Sequence, residues 1–224
     1  MDDQAWLARE FGCRLSSDSL LQQALTHRSA GRRNNERLEF LGDAVLGFVI
    51  SEELYRRFPD ADEGQLSRLR VSLVKGSALA KLARELDVGA HLRLGSGETS
   101  GGGRQRSSIL ADTLEALLGA VLLDQGVAAA QTAVGRVFAE RLQDLRLDAA
   151  RKDPKTRLQE YLQARRRPLP DYQELSVSGA DHARTFTVRC LLSDDGANAE
   201  GEGASRRAAE QAAAQALLVS MGET

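Results

Sequence analysis

Five carboxylates in this chain stand where an ordinary fold would put aliphatic side chains. Glu36, Glu39 and Asp43 lie in NERLEFLGDAVLGFVI, residues 35–50. On an α-helix, at about 100° per residue, they fall within about 60° of one another. Leu38, Leu41, Val45, Phe48 and Val49 form an apolar stripe on the opposite side, while Phe40, Leu46 and Ile50 flank the acids themselves. A helix that is apolar nearly all round is buried nearly all round, and an unpaired carboxylate in such a place is strongly disfavoured. Something cationic must answer the acids. Capping accounts for Glu36 alone: with Asn34 or Asn35 as N-cap, the helix dipole favours an acid in the first turn. Glu39 and Asp43 lie too far in for that. A second pair, Asp112 and Glu115, shares one face of SSILADTLEALLGAVLLD, residues 107–124, another almost wholly apolar segment. Ala116 and Gly119 continue that face with small side chains, leaving room for another helix or a ligand. Two such helices facing each other would gather carboxylates that stay ionised only around a cation. Oxygen-only ligands favour Mg²⁺, with Mn²⁺ as a substitute, and no Cys/His zinc spacing occurs in the chain. A centre of that kind suits phosphodiester hydrolysis by a water.

The elements that must position these residues are readable from pattern and punctuation. Residues 4–30 give two short helices, with Ser17 or Asp18 starting the second, and LTHRS then brings His27. A lone histidine beside a helix end, without a Ser, Cys or His partner at readable spacing, reads as a hydrogen-bonding residue. Gly47, one turn beyond Asp43, would let another backbone come close. Asp62 is the N-cap of the next helix, and Glu63 is open to two readings: a supporting acid of the metal site, or a favourable charge near a helix N-terminus. SRLRVSLVKGSALAKLAREL, residues 67–86, reads as one amphipathic helix ending near Asp87-Val88-Gly89. The glycine-rich GSGETSGGGRQRS, residues 95–107, lacks the order of a phosphate-binding P-loop. It reads as a mobile loop ending in Arg104 and Arg106, either neutral or meeting an RNA backbone. Ser107 or Ser108 caps the second acidic helix, and a further helix covers about 127–147.

After the polar tract DAARKDP the order of elements changes, and Pro154 is well placed to open a new helix. PKTRLQEYLQARRR is followed by a run around Tyr172–Ser178 and by FTVRCLL, which alternates as a half-buried strand does. Asp194-Asp195-Gly196 is a hairpin signal; a weaker strand through 197–203 precedes an alanine-rich helix. The result is α-β-β-β-α.

Bulk composition permits this reading without demanding it. At 224 residues the chain holds one large domain or a medium and a small one. Net charge is −2, with 19 Lys+Arg against 21 Asp+Glu over residues 1–150 and 11 of each over 151–224. Contact with a polyanion must therefore come from local patches. Cys13 and Cys190 lie far apart, as free thiols in a reducing compartment would. No apolar run approaches the roughly 18 residues that span a membrane, and MDDQAWLAREF has no signal-peptide layout. Cytoplasm is the expectation.

The 35–50 stretch closely resembles the signature stretch of the ribonuclease III family. The last seventy residues resemble a double-stranded-RNA-binding domain. Three features carry the second resemblance. Thr156, Gln159 and Gln163 make a polar stripe beside Glu160 on the first helix, suited to a minor groove. The loop SGADHA offers His182 to the next one. Ser205 caps the last helix, whose N-terminus, with Arg206 and Arg207, attracts phosphate. Singly each feature is ordinary surface; jointly, in this order, they fit the shape of A-form RNA. Glu210 departs from the pattern, standing where many such domains carry another basic residue.

The resemblance implies an all-α endonuclease domain over 1–149, a linker at 150–153 and a small α+β double-stranded-RNA-binding domain over 154–222. It assigns Glu39, Asp112 and Glu115 to the metal, Asp43 with Glu115 to catalysis, and Glu36 and Glu63 to support. It implies a homodimer through the endonuclease domain. It also implies Mg²⁺-dependent cutting of double-stranded RNA into 5′-phosphate and 3′-hydroxyl ends with short 3′ overhangs, with rRNA precursors and other structured transcripts as substrates. The competing expectations are a duplex-RNA-binding regulator that does not cut, and a DNA nuclease.

Overall fold

The structure, a computed structural model, describes residues 2–147, 153–179 and 184–223. His182 and residues 150–152 of the expected linker lie outside the described residues. The chain divides into two compact units, residues 1–150 and 151–224, and each has its own apolar core.

The first unit is helical. In chain order it comprises α1 (Asp3–Phe11), α2 (Asp18–Ala24), α3 (Glu36–Arg57), α4 (Glu63–Val74), α5 (Gly76–Glu85), the short α6 (Val88–His91) and α7 (Ser96–Ser100), α8 (Ser107–Val137) and α9 (Ala139–Asp144). Local chemistry sets several of the ends. Ser17 caps α2 by accepting from Leu20 N. Asp62 and Gln65 form a reciprocal capping box at α4, which satisfies two backbone donors at once. The centre of the unit is α8, whose Ile109, Leu110, Leu114, Leu117, Leu118 and Val121 are at most 3% exposed. It packs against α3 along one side and α5 along another. By length and composition α8 is apolar enough to cross a bilayer. That corrects the expectation that no segment reaches this level; the apolar surface is there to fill the core between α3 and α5. At Gly126 the helix kinks through backbone of φ 81°, a conformation that favours glycine.

The second unit runs α10 (Pro154–Ala164), β1 (Asp171–Ser178), β2 (Thr185–Leu191), β3 (Asn198–Gly203) and α11 (Arg206–Ser220). The sheet is antiparallel in the order β1-β2-β3. Leu158 and Leu162 from α10, Cys190 and Leu192 from the β2 end, and Leu217 and Leu218 from α11 meet in one core. Asp153 caps α10 with Pro154 at its first position, and Gly196, at φ 74°, turns the hairpin between β2 and β3. The α-β-β-β-α order read from the sequence is the order observed.

Several local expectations need correcting. The single amphipathic helix over 67–86 is two, because Lys75 is extended at ψ 144° and separates α4 from α5. The glycine-rich stretch is not a loose loop but forms α7 and a 3-10 turn at Gly103–Gln105. Arg104 ties that stretch down by donating to the carbonyls of Gly89 and Ala90. Arg106, rather than a serine, occupies the N-cap position of α8, and Ser107 Oγ instead accepts from Arg84. Finally, α3 is not buried all round: Phe40 is 80% and Phe48 53% exposed.

Candidate metal centre and nucleic-acid surface

The acids meet because α3 and α8 cross at almost no separation. Gly42 faces the backbone of Glu115, so that a Cβ there would lie 1.8 Å from its carbonyl oxygen. Gly119 faces α3 in return, where a Cβ would lie 2.2 Å from the Leu38 carbonyl oxygen. The glycine expected to admit a backbone, Gly47, has nothing within 4 Å; one turn earlier, Gly42 does that work. A buried polar pair fixes the register. Thr113 donates to the Ile109 carbonyl, and Asn35, 2% exposed, donates to Thr113 Oγ1 at 3.4 Å. Asn35 therefore spends its side chain between helices and makes no cap bond on α3.

With the helices so locked, Glu39, Asp112 and Glu115 each offer a carboxylate oxygen within 4.8 Å of the others. All three have pKa values above the usual carboxylate range, and burial is the largest cause for each. Glu115 is pushed up to about 8, by burial first and then by the charges of Asp43, Glu39 and Asp112. A group of oxygen ligands that the fold cannot keep ionised unaided fits a hard divalent cation. Asp43 stands outside the group of three: it is exposed, although its charge is the strongest of those acting on Glu115. Glu36 is exposed, accepts from Asn34 and lies 3.6 Å from Arg28. Glu63 lies at the first position of α4, accepts from Ser67, and is not among the acids gathered here.

A cleft of about 380 Å³ opens beside Glu39 and Asp112, with His27, Arg28, Glu36 and Arg106 also among its lining residues; Asp43 and Glu115 do not line it. His27 accepts from Ser29 N, as a hydrogen-bonding histidine should. With Arg28 it also eases the raised proton affinity of Asp112. Sequence reasoning passed over Arg28, since no spacing signal links residue 28 to residue 112. Arg106 faces the cleft but is paired with Glu98 at 2.8 Å. Arg104 bonds backbone carbonyls through Nη1, and Arg106 bonds Glu98 through Nη1.

On the second unit, Thr156, Gln159, Glu160 and Gln163 are all exposed along α10. Ser205 Oγ accepts from Ala208 N at the start of α11, where the side chains of Arg206 and Arg207 are 59% and 82% exposed.

These two units define a class of protein: a helical nuclease unit joined to a double-stranded-RNA-binding unit. Residues 17–142 match the family model described as ribonuclease-III-like, and residues 154–220 match the double-stranded RNA binding motif. Ribonuclease 3 of Alkalilimnicola ehrlichii is 55% identical over 212 residues, covering 95% of this chain and 93% of that one. Ribonuclease 3 of Hahella chejuensis is 54% identical over 216 residues, covering 96% of each. Among solved structures, the nuclease domain of ribonuclease III from Campylobacter jejuni is similar with a TM-score of 0.61 at 38% identity. That match covers 65% of this chain and 100% of the other. A second structure of that domain, described for flexibility in a region involved in dimer formation, has a TM-score of 0.59 at 40% identity, covering 60% of this chain and 95% of its own. The chain belongs to the ribonuclease III family, and it is an endoribonuclease.

Proposed function

We propose that this chain is a Mg²⁺-dependent endoribonuclease in which Glu39, Asp112 and Glu115 hold the metal and Asp43 acts with Glu115 in hydrolysing double-stranded RNA. The observation that carries the reading is the carboxylate group itself: three acids from two closely packed helices within 4.8 Å, one of them pushed up to about 8. When bound, the ion polarises a phosphoryl oxygen and lowers the pKa of a water. The protein's own groups do the rest. Glu39 and Asp112, on facing helices, fix the position of the charge. Glu115 keeps a proton at neutral pH until a cation enters, and its carboxylate is then free to orient the attacking water. Asp43, exposed and electrostatically close to Glu115, is placed to take up a proton on the solvent side. Glu36 supports the cleft wall through Arg28, and Mn²⁺ serves as substitute because the ligands are oxygen alone. Glu63 keeps a supporting role only if it reaches the centre in an assembled dimer.

The products follow from two sites acting together: 5′-phosphate and 3′-hydroxyl ends with short 3′ overhangs, from rRNA precursors and other structured transcripts. Exposed Phe40 and Phe48 on α3, together with the dimer region of the related nuclease domain, support a homodimer. Free Cys13 and Cys190 suit a cytoplasmic enzyme.

The test is Glu115→Gln. It should abolish Mg²⁺-dependent cutting of duplex RNA while the gel shift with the same duplex persists. Cleavage equal to that of the unaltered chain would remove the mechanism. Competition by duplex DNA as effective as by duplex RNA would point instead to a DNA nuclease, since 2′-hydroxyl contacts separate the two.

A further inference from the structure

The cations at the start of α11 do not face the solvent as a bare pair. Glu210, one turn into the helix, accepts from Lys155 Nζ at 2.6 Å and from Arg206 Nε at 3.1 Å. Its side chain is only 14% exposed, so water does little to screen it from either partner. The two charges hold its carboxyl below the ordinary range, the hydrogen bond from Lys155 being the largest cause. Lys155 belongs to the first turn of α10, and its ammonium also sits 4.4 Å over the Tyr172 ring on β1. Cations from α10 and α11 therefore close on one carboxylate, and β1 holds the first of them in place through Tyr172. Asp153 works beside it: it accepts from Lys155 N and from Gln211, and lies 3.9 Å from Arg207. Arg207 is the exception in the group, 82% exposed and with its carboxylate at the edge of ion-pair range.

We propose that Glu210 sets the RNA affinity of this unit: its internal clasp withdraws Lys155 and Arg206 from the phosphate backbone and leaves Arg207 as the main phosphate contact of the first turn of α11. This rests on the reading of that turn as a duplex-RNA surface. Duplex binding draws its strength from counterions released as protein cations neutralise phosphates. A cation already neutralised inside the protein releases few, so each one withdrawn lowers both the affinity and its dependence on salt. Phosphate that meets Arg206 finds a charge already offset, through Nε, by a carboxylate that the fold shields. The reader is thereby kept weak, which favours release of RNA once the nuclease unit has cut it.

The experiment uses the full chain in EDTA, where binding is measured without cutting, on a duplex RNA across a series of salt concentrations. Glu210→Gln should bind roughly three- to tenfold more tightly at low salt, with a salt slope steeper by about one. Arg207→Gln should weaken binding by a comparable factor and flatten the slope by about one, whereas Arg206→Gln should cost less than about twofold. An unchanged or weaker Glu210→Gln, or an Arg206→Gln that costs as much as Arg207→Gln, overturns the proposal. Should Arg207→Gln bind normally, the surface does not meet phosphate at all, and the underlying reading fails with it. Circular dichroism of Glu210→Gln checks that the unit still folds; if it does not, the contrast between the two arginines decides alone.

Discussion

Glu115 shows what a single side chain does under the two constraints of burial and like charge. Its pKa of about 8 lies above the ordinary carboxylate value, so the fold favours its protonated form. The stability gained from that preference is complete below the ordinary value of 4.5 and is lost as pH rises through about 8, where the metal-free protein must hold an ionised group. Glu39 and Asp112 are shifted in the same direction. A divalent ion reverses the penalty, because it binds the ionised form and releases the proton. Thermal unfolding with and without Mg²⁺ should therefore diverge with pH. The metal-free midpoint should fall from about pH 4.5 to about pH 8 and level off above that, while the increment produced by Mg²⁺ grows over the same interval. Glu115→Gln should flatten much of both trends. A Mg²⁺ increment that does not change with pH would show that the ion binds elsewhere.

At the scale of the helix pair, the chemistry depends on two residues with no side chain to offer. A methyl group at Gly119 would meet the Leu38 carbonyl oxygen, and one at Gly42 the Glu115 carbonyl oxygen. Both obstacles are backbone and cannot rotate away. Overpacking of this kind costs about 1–3 kcal/mol or more. At about 2–4 °C per kcal/mol for a domain near this size, Gly119→Ala should lower the melting temperature by several degrees. It should also cut activity, because the acids of α3 and α8 move apart together. Gly47→Ala has open space around it and should leave the protomer's stability unchanged or slightly raised through helix propensity. Equal effects at Gly47 and Gly119 would refute the crossing geometry. The same pair marks where sequence reading stops. The 3.6-residue period showed acids on two apolar helices, and the start signals at Ser17, Asp62, Pro154 and Ser205 located real helix starts. Which glycine of α3 meets α8 depends on how a segment some seventy positions away docks, and α3 alone carries no trace of it. The break at Lys75 was hidden for a related reason: an apolar period running on both sides of it reads as continuous. The carbonyls of Gly89 and Ala90 that hold Arg104, and the Glu98 that pairs with Arg106, are brought close only by the fold, and no local spacing announces them.

At the scale of the molecule, the two units have separate cores, so residues 154–222 should fold alone and bind duplex RNA without cutting it. Residues 1–149 should retain the carboxylate centre and cut only at higher RNA concentration. An isolated second unit with no cooperative unfolding transition would contradict that division. The remaining feature of the first unit is a surface the protomer does not use. Phe40 and Phe48, separated by two helical turns and bridged by exposed Ala44, form one outward stripe on α3. Tyr55, 74% exposed, lies further along the same helix. Exposed aromatic side chains lined up this way mark an interaction surface more often than a solvated one. Two-fold symmetry would let one α3 cover its own copy with the same patch. Phe40 flanks the exposed Asp43 at one edge of this stripe, while Glu39 turns toward Asp112 and Glu115 on α8, so pairing through the stripe would fix two metal centres relative to each other. Phe48→Glu should therefore convert a dimer of about twice 24.3 kDa into a monomer of 24.3 kDa by sedimentation, with each unit still folded. On duplex RNA the monomer should lose paired cuts, giving slow nicks visible only on denaturing gels in place of short-overhang fragments. A Phe48→Glu chain that sediments as a dimer and still makes paired cuts would place the interface on some other surface of the first unit.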